Sequence, residues 1–236
     1  MPLVTLTTDT LEPASAMNLV SWNGNPAQTA PAWQASGPAS GNVWCLTTGA
    51  CSWNNQGAST RNIHVRNPAN TTFANDQWVS AQINGIDTSA NAGNYRISLI
   101  LRGAQHGTTD NGTGYYMEIW GGNINVLVYT NGSYISTLSP GVSGTWAVGD
   151  YMGFQVQGTT LGVYHATTAA ALWTAALQTY TDSTIASGQA GIGSIGDSSA
   201  TGNTRIINWA AGNITVGLSP PTTNKGVMSV RSTSQP

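Results

Sequence analysis

The sequence GTGYYMEIWGG, at residues 112–122, has the alternation of side chains that is typical of a β-strand in a sandwich. With a period of two, one face of this strand carries Tyr115, Met117 and Ile119. The opposite face carries Tyr116, Glu118 and Trp120. Glu118 is one of two glutamates in the chain, so its role decides between an enzyme and a binding or structural module.

Short alternating segments continue on both sides of this strand. Residues 77–83 (QWVSAQI) alternate, and so do residues 95–102 (YRISLILR). The second segment places three apolar side chains on one face: Ile97, Leu99 and Leu101. Residues 188–196 and 205–216 supply closing strands. The sequence therefore predicts an all-β protein, built as an antiparallel two-sheet sandwich.

Two hairpins are expected in the second half of the chain. Residues 124–138 predict a hairpin closed by Asn131-Gly132, a pair that tolerates the positive φ of a type I′ turn. Residues 151–166 predict another, which turns at Gly158-Thr159. Residues 167–180 (TTAAALWTAALQTY) are Ala-rich enough for a helix, but their place between strands makes a strand or an excursion equally consistent.

The first 75 residues are less regular. Pro26, Pro31 and Pro38 separate short runs there, which predicts a terminal strand with long covering loops rather than a separate domain.

The chain of 236 residues carries little charge: 7% of its residues are charged and the net charge is −2. Its seven Lys and Arg residues form no basic stripe, which argues against nucleic acid and anionic membranes as partners. No run of about 18 apolar residues occurs, so no membrane insertion is expected. Residues 1–5 (MPLVT) lack the features of a secretory signal, so we expect release by lysis or within a virus particle, or a chain whose signal was removed.

Cys45 and Cys51 are separated by a short segment, LTTGA. Two extended arms around a Thr-Gly turn could bring the sulfur atoms within bridging distance, so we expect a disulfide. The alternative is a pair of small buried thiols. Zinc is not expected, because no second Cys or His pair follows at ligand spacing.

Four stretches, in order along the chain, resemble one family. They are DTLEPASAMNLVSWNG with APAW, YRISLILRG with GTGYYMEIWGG, WAVGDYMGFQVQGTTLGVYH, and YTDSTIASGQAGIG, and they span about residues 8–215. The chain is similar to the concanavalin A-like (laminin G-like) jelly-roll superfamily, especially its members in phage virion and bacterial surface proteins. The resemblance implies a jelly-roll domain at residues 1–216 and leaves activity open, since lectins, hydrolases, lyases and structural modules share the fold.

Residues 217–236 (GLSPPTTNKGVMSVRSTSQP) are rich in Pro, Ser and Thr and have little to bury. Such a segment does not order by itself. We therefore expect an extended C-terminal arm that docks on a neighbouring subunit, either another copy of the chain or another virion protein.

No catalytic residue is predicted. A retaining glycosidase needs two carboxylates close together, but Glu118 is flanked on its face by aromatic rings and the Glu-x-Asp-x-x-Glu pattern is absent. A lyase of the same fold needs a Lys or Tyr base beside Arg and His on adjacent strands, but the only lysine, Lys225, lies in the tail. His64, His106 and His165 are scattered, and no Gly-x-Ser-x-Gly turn accompanies them.

The aromatic face around Glu118 is the candidate glycan site. Tyr129 or Trp173 would join Tyr116 and Trp120 from neighbouring strands. Such a face suits a glycan, because a sugar stacks its C–H face on aromatic rings and hydrogen-bonds its hydroxyls to fixed polar groups. The alternative, which such a pattern favours, is that these rings are core of the second sheet.

Two loops, residues 106–114 (HGTTDNGTG) and 196–203 (GDSSATGN), resemble the places where related lectin-like domains hold Ca²⁺. The candidate ligands are Asp110, Asn111 and Asp197. One acid in each loop provides little negative charge for a Ca²⁺ ion. The alternative is that both loops are ordinary Gly-rich turns. No other cofactor is expected.

The sequence and its resemblance together favour a non-enzymatic structural module of a phage-like virion, either a capsid decoration or a tail or fibre component. This hypothesis places the chain on the virion surface, where it contacts other virion proteins and cell-surface glycans. The alternative is a secreted or surface carbohydrate-binding module with an extracellular location. A glycoside hydrolase or lyase of the same fold is the third reading.

Overall fold

Alternating segments pair into antiparallel strands throughout the computed structural model of this protein. The structure describes residues 3–9, 11, 17–18, 33–36, 43–46, 49–52, 61–66, 68, 71–86, 96–104, 112–120, 123–143, 146–195 and 204–215. Residues 217–236, the predicted arm, lie outside these ranges. In the described part, no helix has the length and apolar character needed to cross a membrane.

The strands are numbered along the chain. They are β1 (Leu3–Asp9), β2 (Met17–Asn18), β3 (Trp33–Ser36), β4 (Val43–Leu46), β5 (Gly49–Ser52), β6 (Arg61–Arg66), β7 (Gln77–Gly85), β8 (Arg96–Ala104), β9 (Thr113–Trp120), β10 (Asn123–Thr130), β11 (Ser133–Ser143), β12 (Tyr151–Gln157), β13 (Thr160–Ala166), β14 (Gln178–Thr181), β15 (Gln189–Ile195) and β16 (Arg205–Ile214).

Two sheets make up the sandwich. The nine-stranded sheet has the order β14-β13-β12-β7-β16-β5-β4-β2, and β1 also pairs with β16. The seven-stranded sheet has the order β11-β10-β9-β8-β15-β6-β3. Strands β8 to β11 are consecutive in the chain and adjacent in space, so a meander forms one end of this sheet. The predicted two-sheet antiparallel jelly roll is confirmed.

The main core lies between the sheets, and the predicted inward faces of β8 and β9 are confirmed. The side chains of Ile97, Leu99, Leu101, Tyr115, Met117 and Ile119 are all buried there. They pack on the inward face of the other sheet, which includes Val79, Phe154 and Val163. Burying one such side chain contributes about 1.5–3 kcal/mol, so the alternation in the sequence is enough to orient both strands.

A ring pair joins the sheets at the side of β3 and β16. The Trp33 and Trp209 ring centroids are 4.9 Å apart at an interplanar angle of 63°. The guanidinium carbon of Arg66 lies 4.8 Å from the Trp33 ring centroid and 5.6 Å from that of Trp209. Arg66 also donates a hydrogen bond to the Thr7 hydroxyl, so one buried cation ties β6 to β1 as well as to both rings.

Both predicted hairpins are present. Asn131 and Gly132 have φ values of 49° and 77°, as a type I′ turn requires, and they connect β10 to β11. The second hairpin joins β12 to β13 at Gly158-Thr159. Residues 167–180 are an excursion: a short 3-10 helix (Ala169–Ala171) is followed by β14 at the sheet edge.

The expectation of covering loops in the first 75 residues is wrong where the structure describes them. Strands β1, β2, β4 and β5 belong to the nine-stranded sheet, and β3 and β6 belong to the other. These strands have between two and seven residues. So few residues show little periodicity, and partner strands distant in sequence stabilise them.

The close approach of β1 to β16 requires a glycine. Gly212 is opposite Thr5, and a Cβ atom at this position would overlap the carbonyl oxygen of Val4. We expect Gly212→Ala to lower the free energy of unfolding by about 2 kcal/mol in urea denaturation, because β1 must move away. Gly158→Asn is the control: that turn has open space and a φ of 55°, which Asn tolerates, so its cost should stay below about 1 kcal/mol. Equal costs for both variants would contradict the steric argument.

Candidate functional site

The outer face of the seven-stranded sheet carries a groove of about 510 Å³. Its described lining comes from the meander β8 to β11: Arg96, Glu118, Asn125, Leu127, Tyr129, Tyr134 and Thr137. The volume lies within the ~300–1,000 Å³ that is typical of small-ligand sites. The lining mixes aromatic, amide, hydroxyl and charged groups.

The strand register explains why these residues share a face. A polar row runs across three strands, since Glu118 is opposite both Ser98 and Asn125. Two residues before Glu118 on β9, Tyr116 is opposite both Ile100 and Leu127. Because every second residue on these strands is in the main core, the intervening residues must face outward.

An ion pair forms part of the groove lining. The Arg96 Nη1 atom is 2.6 Å from the Glu118 Oε2 atom, and the Glu118 side chain is fully buried while 22% of Arg96 is exposed. Among the described residues that line the groove, Glu118 is the only carboxylate. Double-acid glycoside chemistry would require a second carboxyl group here, and the described lining supplies none.

Three tyrosine rings pack in a row on this face, and two of them, Tyr129 and Tyr134, line the groove. The Tyr116 and Tyr129 ring centroids are 5.0 Å apart, and those of Tyr129 and Tyr134 are 5.8 Å apart. The first two rings are buried in a small apolar cluster with Val65, Ile100 and Leu127. Tyr134 is 55% exposed, and its hydroxyl lies 2.8 Å from the Thr137 hydroxyl.

Tyr134 is one of the groove residues that the sequence prediction missed, together with Arg96, Asn125, Leu127 and Thr137. A two-residue turn at Asn131-Gly132 pairs residue 130 with 133 and residue 129 with 134, and the structure has this register. The turn therefore already placed Tyr134 beside Tyr129 on the outward face. The turn type and the spacing of the two tyrosines are therefore sufficient to predict this contact from the sequence.

The predicted glycan-binding residues fall into separate groups. Tyr116, Glu118 and Tyr129 are together on the outer face of the seven-stranded sheet. Trp120 ends β9, and its side chain lies outside the described part. Trp173 lies on the outer face of the opposite sheet.

The Trp173 ring packs on that opposite sheet with Trp78 and Tyr164, at centroid distances of 5.5 Å and 4.9 Å. A Cβ atom at Gly153 would come within 2.7 Å of the Trp173 ring, so a glycine makes room for it. The excursion after β13 therefore carries this ring to the nine-stranded sheet, which is why Trp173 does not join Tyr116.

The candidate calcium ligands Asp110, Asn111 and Asp197 lie outside the described residues. Within the described ranges, no group of three or more His, Cys, Asp and Glu side chains is arranged to hold a metal ion. Calcium at the two loops stays a prediction.

The two cysteines lie on the adjacent strands β4 and β5. Cys45 is opposite Ala50, and Cys51 is opposite Trp44. Their side chains are outside the described part, so the disulfide stays a prediction.

The two described histidines lie away from the groove. His64 is fully buried, and burial lowers its pKa to about 3. The His165 Nε2 atom is 2.8 Å from the Asp150 Oδ2 atom, which also accepts a hydrogen bond from the Ala147 amide. His106 lies outside the described residues.

The fold is a jelly-roll sandwich of the kind also found in lectin domains of known structure. No protein-family model and no curated protein sequence matches the chain. Crystal structures of the VIP36 exoplasmic/lumenal domain are similar: the metal-free form has a TM-score of 0.57 and 14% identity, covering 85% of this chain and 92% of that chain. Its Ca²⁺/Man2-bound form has a TM-score of 0.53 and 14% identity, covering 89% and 91%. The carbohydrate binding module CBM66 from Bacillus subtilis has a TM-score of 0.46 and 13% identity, covering 78% and 94%. At these identities the likeness concerns the fold.

Proposed function

We propose that this chain is a carbohydrate-binding module and that the groove on the outer face of the seven-stranded sheet holds the glycan. The observation that carries this proposal is the Tyr134 ring, 55% exposed at the rim of a groove of about 510 Å³ with polar groups along its floor. An exposed ring beside fixed hydrogen-bonding groups suits a sugar, which has an apolar C–H face and a rim of hydroxyls.

Binding would use two kinds of contact. One sugar face stacks on Tyr134, while hydroxyls meet the amide of Asn125, the hydroxyl of Thr137 and the Arg96–Glu118 pair. Tyr134 already packs on Tyr129 and shares a hydrogen bond with Thr137. Because the ring is held before the ligand arrives, little side-chain entropy is lost on binding.

The shared fold supports this assignment. The VIP36 domain was solved in a Ca²⁺/Man2-bound form, so a sandwich of this architecture can hold a glycan. We assign binding rather than hydrolysis, because Glu118 is buried against Arg96 and the described lining of the groove offers no second acid.

Removing the rim ring is the direct test. We expect Tyr134→Ala to weaken glycan binding by about tenfold in isothermal titration, after a glycan array has identified a ligand of the wild-type protein. The ring is exposed at the sheet edge, so the free energy of unfolding should change by less than about 1 kcal/mol.

Ile135→Ala is the matched control for this variant. Ile135 is the adjacent residue, is 50% exposed and is not among the groove residues, so its loss should leave affinity unchanged. Equal affinity of the two variants would contradict a site at Tyr134. A wild-type protein that binds no glycan on the array would contradict the function itself.

The sequence resemblance also suggested a more specific role, as a component of a phage-like virion. The described residues and the similar structures give it no support, whereas the fold favours the carbohydrate-binding alternative. The two roles are compatible, since a virion surface module can contact host glycans. Contacts with other virion proteins or with copies of the chain would involve residues 217–236, which lie outside the described ranges.

A further inference from the structure

We infer that the groove is selective for uncharged glycans, and that pairing of Arg96 with Glu118 sets this selectivity. The inference rests on the proposed function and names the ligand class for the same site. Among the described lining residues, these two are the only charged ones, and their formal charges cancel. The remaining groups there are an amide, hydroxyls, aromatic rings and a leucine.

An acidic sugar would meet an unfavourable arrangement. Its carboxylate could approach Arg96 only near the fully buried Glu118, whose oxygen is 2.6 Å from the guanidinium. Displacing Glu118 would break the ion pair of a fully buried carboxylate, and keeping it would place two negative charges side by side. Both outcomes cost more than the new contact returns.

A cationic sugar is disfavoured by the same pair. The carboxylate it would seek has no exposed surface and is already paired, while the more exposed member of the pair is the Arg96 cation. Neutral hydroxyls meet no such conflict, because they can accept hydrogen bonds from the partly exposed Arg96 N–H groups without breaking the pair.

The polar row across the sheet fixes this pair in place. Glu118 lies between Ser98 and Asn125 in the register of β8, β9 and β10, so its backbone position cannot adjust to a ligand. Arg96, one position before Ile97 at the beginning of β8, reaches Glu118 diagonally. Selectivity therefore follows from sheet geometry and needs no movement on binding.

The test uses a printed array of neutral hexose and N-acetylhexosamine oligosaccharides beside uronic-acid and sialylated ones. We expect the full-length wild-type protein to bind neutral spots only, with an affinity that changes less than about twofold between about 0.05 and about 0.5 M NaCl. Glu118→Gln removes the negative charge of the pair, so the described lining of the groove changes from neutral to a net charge of +1. This variant should gain about tenfold in affinity for acidic oligosaccharides, and the gain should disappear at high salt.

The double variant Arg96→Gln, Glu118→Gln is the matched control, because it removes both charges and keeps the groove neutral. It should bind acidic spots no better than the wild type does.

Wild-type binding to acidic oligosaccharides, or acidic binding that is equal in the single and double variants, would overturn the inference and leave the proposed function standing. Absence of wild-type binding to every spot would instead overturn the proposed function. If Glu118→Gln does not fold, the wild-type array and its salt dependence still decide the outcome.

Discussion

Replacing Arg102 with Met is expected to lower the free energy of unfolding by about 4 kcal/mol in urea denaturation. The side chain is 4% exposed, and its three nitrogen atoms donate to the carbonyl oxygens of Asn75, Ile185 and Gly158 at 2.7–2.8 Å. These acceptors lie in three separate connections of the sandwich. A Met side chain fills the space but leaves three carbonyl groups without their charge-assisted donors.

Arg102→Lys separates charge from geometry. Lysine keeps the positive charge, but one ammonium group cannot span acceptors that the planar guanidinium reaches on three sides. We therefore expect an intermediate loss of about 2 kcal/mol. If the free energy of unfolding of the Met variant were within about 1 kcal/mol of the wild-type value, the three hydrogen bonds of the guanidinium would not be what stabilises these connections.

The second large effect is a loss of stability in mild acid caused by His64. This residue lies on β6, opposite Ile192 of β15, and both of its buried ring nitrogens are without a hydrogen-bond partner. Burial lowers its pKa from 6.5 to about 3. As the pH falls below 6.5, the unfolded chain binds a proton that the folded chain excludes.

The stability that depends on neutral His64 is thus fully present above pH 6.5 and is lost progressively as the pH falls toward about 3. At pH 4 the expected loss from this one group is about 3 kcal/mol. Chemical denaturation at a series of pH values measures it.

His64→Leu isolates the contribution of this histidine from that of the carboxylates. Leucine has a similar size and no titrating group, and His64 makes no side-chain hydrogen bond that would be lost. We expect the variant to be at least as stable as the wild type at neutral pH and to lose about 3 kcal/mol less between pH 7 and pH 4. Parallel stability curves for the two proteins would refute the assignment.

The outward face around Glu118 was predictable because a strand alternates. The alternation in residues 112–122 correctly assigns Tyr115 to the inner face of the sheet and Tyr116 to the outer face. The Asn131-Gly132 turn sets the pairing of Tyr129 with Tyr134. Local rules of this kind need only neighbouring residues. The two readings of these rings, core or binding site, both describe part of the row of tyrosines, since Tyr116 and Tyr129 are buried and Tyr134 is exposed.

The partner of Glu118 was not predictable in the same way. Arg96 is 22 residues away in sequence, on a different strand, and its position beside Glu118 depends on the register of β8 with β9. The same reason explains Trp173. Trp173 was predicted on the face of Tyr116, and this is wrong because its ring packs over Gly153 on the opposite sheet.

The sequence alone determined that this chain forms paired strands with defined inner and outer faces, because alternation and turn chemistry act over a few residues. The tertiary structure alone decided which outer face holds a groove, that a cation neutralises its carboxylate, and that the short strands before residue 75 join both sheets. These features depend on contacts between residues far apart in the chain, where the burial of apolar area selects one arrangement from many that the local pattern permits.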